Sequence, residues 1–238
     1  MDQIDISGVN LANIQQRTLE LSQAIMRTPT VGTTSSMMDR LLEGGALHLK
    51  LECLQYSGSF KARGALSVVH SIRSDKRSAG ITAASAGNHA IAAAWAARKS
   101  GLSAKVVMQS TANPFRIALA QTELAEVIIK EPGKATFAEA ERLSRDEGRT
   151  FVHPFEGINT TLGTAGVGLE FMQDVPDLEA IIVSVGGGGL ISGVAAAVKA
   201  MNPKCQVYGV EPTGADAMSQ SLKAGRPITL GKIDTIAD

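Results

Sequence analysis

The chain has 238 residues, 44% of them hydrophobic, and its 23 basic and 23 acidic side chains cancel to a formal net charge of zero. That length suits one large domain or two small ones, and a balanced charge without a basic block argues against nucleic acid or an acidic membrane surface as a partner. No apolar run is long enough to span a bilayer.

Met1-Asp2-Gln3-Ile4-Asp5 lacks the basic-then-apolar start of a secretion signal. Cys53 and Cys205 lie far apart, lack zinc-site spacing and read as reduced thiols, so the expected location is cytoplasmic. Leu11, Ile14, Leu21 and Ile25 recur near helical spacing, which predicts an amphipathic helix over about 8–26, stopped by Thr28-Pro29. A strand is expected at 46–52, then the turn Ser57-Gly58-Ser59 and a helix carrying Ala65, Leu66, Val68, Val69 and Ile72. After a charged loop at 74–78, Ile81-Thr82-Ala83-Ala84 reads as a strand. It breaks at Ser85-Ala86-Gly87-Asn88, and an alanine-rich helix follows over 90–99, ended by Gly101. Further strands are expected at 105–108, 127–129 and 151–152, separated by helices at 114–123 and 136–147. A helix over 161–173 leads to an apolar strand at 180–185, four consecutive glycines, a helix over 190–200 and a strand at 207–210.

Strands alternating with helices predict an α/β chain with a mostly parallel sheet flanked by helices. Such sheets bind ligands beyond the carboxyl ends of their strands. The turns at 57–59, 85–88 and 186–189 each follow a predicted strand and open a helix, so the three loops are expected to face one crevice.

Their chemistry differs. Lys61 lies in Ser59-Phe60-Lys61-Ala62-Arg63-Gly64. Against an apolar wall a lysine ammonium is poorly solvated, its pKa falls, and an amine able to form Schiff bases becomes available. Alone, it reads as an ordinary exposed lysine at a helix start. The glycine run allows close backbone approach, and the helix after it offers N–H groups and a positive dipole end to a phosphate. No Lys-Ser/Thr follows and G-x-G-x-x-G is not met, so a small phosphorylated cofactor fits better than a nucleotide. Ser85-Ala86-Gly87-Asn88-His89-Ala90 makes a second helix N-terminus, suited to a carboxylate, although an ordinary N-cap explains it as well.

Taken together, Gly58-Ser59-Phe60-Lys61-Ala62-Arg63-Gly64-Ala65, Ser85-Ala86-Gly87-Asn88-His89 and Gly186-Gly187-Gly188-Gly189-Leu190 resemble the pyridoxal-phosphate enzymes of fold type II. The resemblance is to their threonine/serine dehydratase and serine racemase branch, in motif order over nearly the whole chain. It implies a two-lobed α/β architecture, with a larger lobe from 1–66 and 156–238 and a smaller lobe, 67–155, carrying the Asn loop. Lys61 would be the catalytic residue, holding the cofactor as a Schiff base and moving the substrate α-proton. Phe60 would pack beside the cofactor ring, and Asn88 would bond its phenolic oxygen. Gly186, Gly187, Gly188, Gly189 and Leu190 would hold its phosphate. Ser85, Ala86, Gly87, Asn88 and His89 would bind the substrate carboxylate. The implied reaction is loss of water from threonine or serine, giving a 2-oxo acid and ammonia. A homodimer is the family default. A racemase or another lyase acting on a small hydroxy amino acid, and a non-catalytic remnant binding cofactor or a partner, are the alternatives.

The pattern also has departures. Racemase-like members carry a proton-transferring serine where this chain has Ala86, which favours elimination. Glu211 and Ala215 fall where relatives supply a carboxylate and a carbonyl to a divalent cation, but Ala217 replaces the second carboxylate and Asp216 comes one place early, so no metal is expected and Asp216 reads as a surface residue. Gln109 stands where relatives often have proline, and Leu124 where glycine is usual. A left-handed backbone at Leu124 would cost about 1 kcal/mol or more. The sequence ends at Asp238, before a segment that relatives use to meet the pyridine nitrogen, and the expectation is a truncated enzyme, weak or inactive, with an exposed sheet edge. His48, His70 and His153 are expected to be structural.

Overall fold

A computed structural model describes residues 7–33 and 35–236, so the reading of Met1–Asp5 lies outside the described residues. Helix α1 (Leu11–Leu21) starts where the Asn10 side chain accepts a hydrogen bond from Asn13 N. It stops short of the predicted end because residues 22–25 form a turn, with Ala24 N and Ile25 N both donating to Leu21 O. Ile25, which extended the apparent period, packs on the core from that turn.

Strand β1 (Thr30–Thr33) and helix α2 (Ser36–Leu41) were not foreseen, being too short to show a period. β1 pairs antiparallel with β2 (Leu47–Lys50), Thr30 opposite Lys50. The first of the three loops therefore leaves a separate two-stranded sheet, not the parallel one. Two 3₁₀ turns, at Glu52–Leu54 and Tyr56–Gly58, carry the chain to α3 (Lys61–His70).

The central unit is a four-stranded sheet, all parallel, in the order β5-β4-β3-β6. Its strands are β3 (Ile81–Ala84), β4 (Ala104–Gln109), β5 (Glu126–Lys130) and β6 (Thr150–Phe151). The helices between them are α4 (Asn88–Lys99), α5 (Pro114–Thr122) and α6 (Lys134–Glu147). β3 is buried along its whole length, Thr82 included, so neither of its faces is turned to solvent. The alanines of α4 let it lie close to the sheet, and Trp95 closes the layer by stacking on Tyr56 at 5.3 Å between ring centroids.

The rest of the chain builds a second layer. The long helix α7 (Ile158–Asp174) packs against α3 and α8 (Gly189–Met201). At Gly163 a Cβ would lie 2.5 Å from Arg63 O, so glycine is what allows α7 to approach α3. β7 (Ala180–Ser184) and β8 (Gln206–Val210) form a parallel pair, so the expected parallel strands divide between two sheets. A further helix, α9 (Ala217–Ala224), also escaped the sequence reading. Glu211 starts it: its carboxylate accepts from Met218 N at 2.7 Å and from Ser219 N at 2.8 Å. Among the described residues, no helix is long and apolar enough to cross a membrane.

Candidate active site

Lys61 opens α3, and the chain is forced into place just before it. Ser57 and Gly58 both take left-handed backbone conformations, with φ of 61° and 72°. Beyond them Arg63, only 2% exposed, pins the first turn of the helix. Its guanidinium reaches Glu52 Oε2 at 2.8 Å and Glu170 Oε1 at 2.7 Å, while Lys50 Nζ meets Glu170 Oε2 at 2.9 Å. Lys61 Nζ donates to Pro154 O at 2.6 Å and stands 5.2 Å from the centroid of the Phe60 ring. Burial among these groups lowers its pKa to about 8. About a tenth of the amine is then neutral at pH 7, far more than for an exposed lysine.

The second loop leaves β3. Ser85 N continues the ladder to Val107 O, and Ser85 Oγ accepts from Gly87 N at 3.1 Å. α4 begins at Asn88, and the first amides of a helix have no partner within it. His89 is buried and its Nε2 donates to Val152 O at 2.8 Å. Burial, with the Lys61 charge nearby, drops its pKa to about 3, so the ring stays neutral at physiological pH. Its visible task is to tie the start of α4 to the end of β6. At Gly87 a Cβ would stand 2.1 Å from Arg116 Nη1; the guanidinium lies against this loop only because the residue is glycine.

The third loop leaves β7. Gly188 has φ of 88°, and a Cβ on Gly187 would fall 2.2 Å from Phe155 Cγ. Thr164 Oγ1 reaches across from α7 to donate to Gly189 O at 2.8 Å. Phe155 thus occupies one side of the loop. At Gly186 a Cβ would meet nothing within 4 Å, so that part of the loop is open.

All three loops line one cleft of about 460 Å³. Phe60 and Lys61 form one part, Ser85, Ala86, Gly87, Asn88 and His89 another, and Gly186 to Leu190 a third. The structure brings together every site residue the sequence singled out. A glycine backbone open on one side, backed by a helix N-terminus, suits a phosphate. A half-buried amine of lowered pKa beside an aromatic ring suits an aldehyde-bearing ring. The residues present fit pyridoxal phosphate.

The sequence reading missed a fourth loop, after β6, which contributes Pro154 and Phe155. The rule that found the other sites, a turn beyond a parallel strand's carboxyl end, applies to 152–155 equally well. His153 belongs to this loop: its Nδ1 accepts from Glu156 N at 2.9 Å and its ring meets Phe155 edge-on at 4.6 Å. Pro212, Ala215, Ile233 and Thr235 supply the remaining wall. Glu211 is engaged in capping α9, and Asp216 is half-buried, its carboxylate accepting from Gln220 Nε2 at 2.7 Å. Among the described residues, no cluster of three or more His, Cys, Asp or Glu is placed to hold a metal.

Comparison with known proteins agrees with this geometry. Residues 21–238 match the family described as Pyridoxal-phosphate dependent enzyme. The chain is 46% identical to phenylserine dehydratase of Ralstonia pickettii, over 100% of this chain and 72% of that protein. It is 38% identical to L-threonine ammonia-lyase of Thermotoga maritima, over 97% of this chain and 57% of that protein. The solved structure of maize serine racemase superposes with a TM-score of 0.91 at 34% identity, covering 96% of this chain and 69% of that one.

Proposed function

Since the chain belongs to the pyridoxal-phosphate dependent enzymes, we propose that it removes water from a β-hydroxy α-amino acid, leaving a 2-oxo acid and ammonia. The observation that carries this reading is the convergence of Lys61, the Asn88 loop and the glycine loop on one cleft. When bound, the cofactor supplies a conjugated ring that takes up the electron pair released at the substrate Cα.

The chain's own residues do the rest. The Gly186–Gly189 backbone and the start of α8 would hold the phosphate by N–H donation and dipole, with Leu190 closing that wall. Phe60 would flank the ring, and Asn88 would meet its phenolic oxygen without adding charge. Ser85, Ala86, Gly87, Asn88 and His89 present the start of α4 to the substrate carboxylate. Lys61, with a pKa of about 8, is matched to taking the Cα proton near neutral pH. That proton then stays within reach of the hydroxyl that leaves Cβ as water. The released enamine tautomerises, takes up water and sheds ammonia.

Ala86 supports elimination over inversion, because its methyl cannot return a proton to the other face of Cα. The named dehydratase and ammonia-lyase relatives support the same choice. They leave serine, threonine and a β-aryl serine as the substrates to compare. The four-stranded sheet falls within 67–155 and β7–β8 within 156–238. That supports a smaller lobe over 67–155, set between the two parts of a larger one.

The test is release of 2-oxo acid by the purified chain with pyridoxal phosphate and L-serine, L-threonine or threo-phenylserine. Product is expected from at least one and should vanish in Lys61→Ala. No product from any of the three would sink the proposal.

A further inference from the structure

Beside the cleft lies a second hollow of about 450 Å³, lined by Ala86, Gln109, Thr111, Ala112, Asn113 and Pro114. The two hollows share one residue, Ala86. Gln109 ends β4, and the others come from the β4–α5 turn, which reaches the same carboxyl edge of the sheet as the Asn88 loop. Two positions marked in the sequence for departing from their relatives, Ala86 and Gln109, therefore border a single space. We propose that this space is the subsite for the substituent on the substrate's β-carbon, and that it selects bulky, uncharged groups, aromatic ones first.

The inference rests on the proposed function. A substrate whose carboxylate lies on the Ser85–His89 loop has its β-carbon two bonds from that carboxylate carbon. Ala86 lines both hollows, and the side chain it sets between them is only a methyl. None of the six lining residues is charged, so a charged substituent would lose water without gaining a counter-ion. The hydrogen of serine or the methyl of threonine would leave the space to solvent. A ring would displace that solvent and lie against Ala112, Pro114 and the carboxamide faces of Gln109 and Asn113.

The experiment fills the subsite from its exposed rim with Thr111→Trp, and separately from its floor with Gln109→Leu and Gln109→Trp. Two readouts are taken on the cofactor-loaded chain, with folding checked by circular dichroism. One is kcat/KM for threo-phenylserine against serine. The other is calorimetric binding of L-phenylalanine against L-alanine, neither of which carries a leaving hydroxyl. In Thr111→Trp and Gln109→Trp the phenyl compounds should lose at least about tenfold relative to the small ones, a discrimination of ordinary size for a side-chain subsite that has been filled. Gln109→Leu, which keeps the space and removes polarity, should hold or raise the phenyl preference. Equal losses for both substrate sizes, or no loss in either tryptophan variant, would overturn the subsite. If the unaltered chain binds and converts none of the four amino acids, it is the underlying function that fails, taking the subsite with it.

Discussion

Replacing Leu124 with glycine should make the protein more stable, although it deletes a large apolar side chain. Helix α5 ends in a Schellman arrangement: Ala125 N donates to Ala120 O and Leu124 N to Gln121 O. The residue at Leu124 must be left-handed for those bonds to close, and its φ is 63°. A side chain with a Cβ pays about 1–2 kcal/mol for that conformation. Glycine removes the strain but loosens the unfolded chain, which returns about 0.4–1 kcal/mol. Leu124 is 77% exposed, so little burial is lost with its side chain. The balance is a gain of about 0.5–1 kcal/mol, or about 1–4 °C in Tm for a chain of this size. Thermal unfolding followed by circular dichroism measures it. Leu124→Ala, which keeps the Cβ, is the control and should gain nothing. A Leu124→Gly protein melting at or below the unaltered one, or an alanine variant gaining as much, would refute the strain argument.

Three further outcomes are expected. Lys61, with a pKa lowered to about 8 by burial, should form its imine with pyridoxal phosphate faster as pH rises. The neutral fraction grows roughly fiftyfold between pH 6 and pH 8 and levels off above pH 9, so borohydride trapping with mass detection should show a midpoint near 8. A midpoint at the ordinary lysine position would contradict the burial effect. Gly187→Ala should lower affinity for pyridoxal phosphate by tenfold or more in equilibrium dialysis, because the added Cβ meets the Phe155 ring; unchanged affinity would show that the loop is not the phosphate site. Arg63→Met should cost about 3–5 kcal/mol in urea unfolding, since it takes the buried guanidinium away from Glu52 and leaves Glu170 with Lys50 alone. Adding Glu170→Met should recover part of that loss, and additive losses would show that the pair is not coupled.

How legible the molecule was in its sequence depended on whether one stretch of chain carried the signal. β3 and α4 announced themselves because burial along a whole strand or a long alanine face leaves a contiguous pattern, whereas β7 showed itself by its apolar run although only one of its faces is buried and Ile182 is exposed. β1, α2 and α9 did not, because each is short and owes its existence to a partner elsewhere: Lys50 opposite Thr30, or the Glu211 carboxylate at the head of α9. Lys61, Asn88 and the glycines stood out only as three motifs taken together, through the family resemblance they carry, since each alone had an ordinary reading. Phe155 was overlooked although its loop also follows a parallel strand, because no glycine or lysine marks it and its packing over Gly187 appears only in three dimensions. His153, taken for a structural residue, packs edge-on against Phe155 in the fourth loop. Leu124 shows the reverse case, in which one sequence position foretold a backbone angle.

The Arg63 cluster has a consequence for how this protein can drift. It joins Lys50 at the end of β2, Glu52 in the following turn, the first turn of α3 and Glu170 on α7. Losing any one charge leaves the buried remainder out of balance by one, so a single-step change there passes through a less stable ancestor. The cluster should therefore stay fixed or change several members at once over a lineage. The uncharged hollow beside Ala86 carries no such lock. New substrate preferences can arise there one residue at a time while the lysine next door is held still.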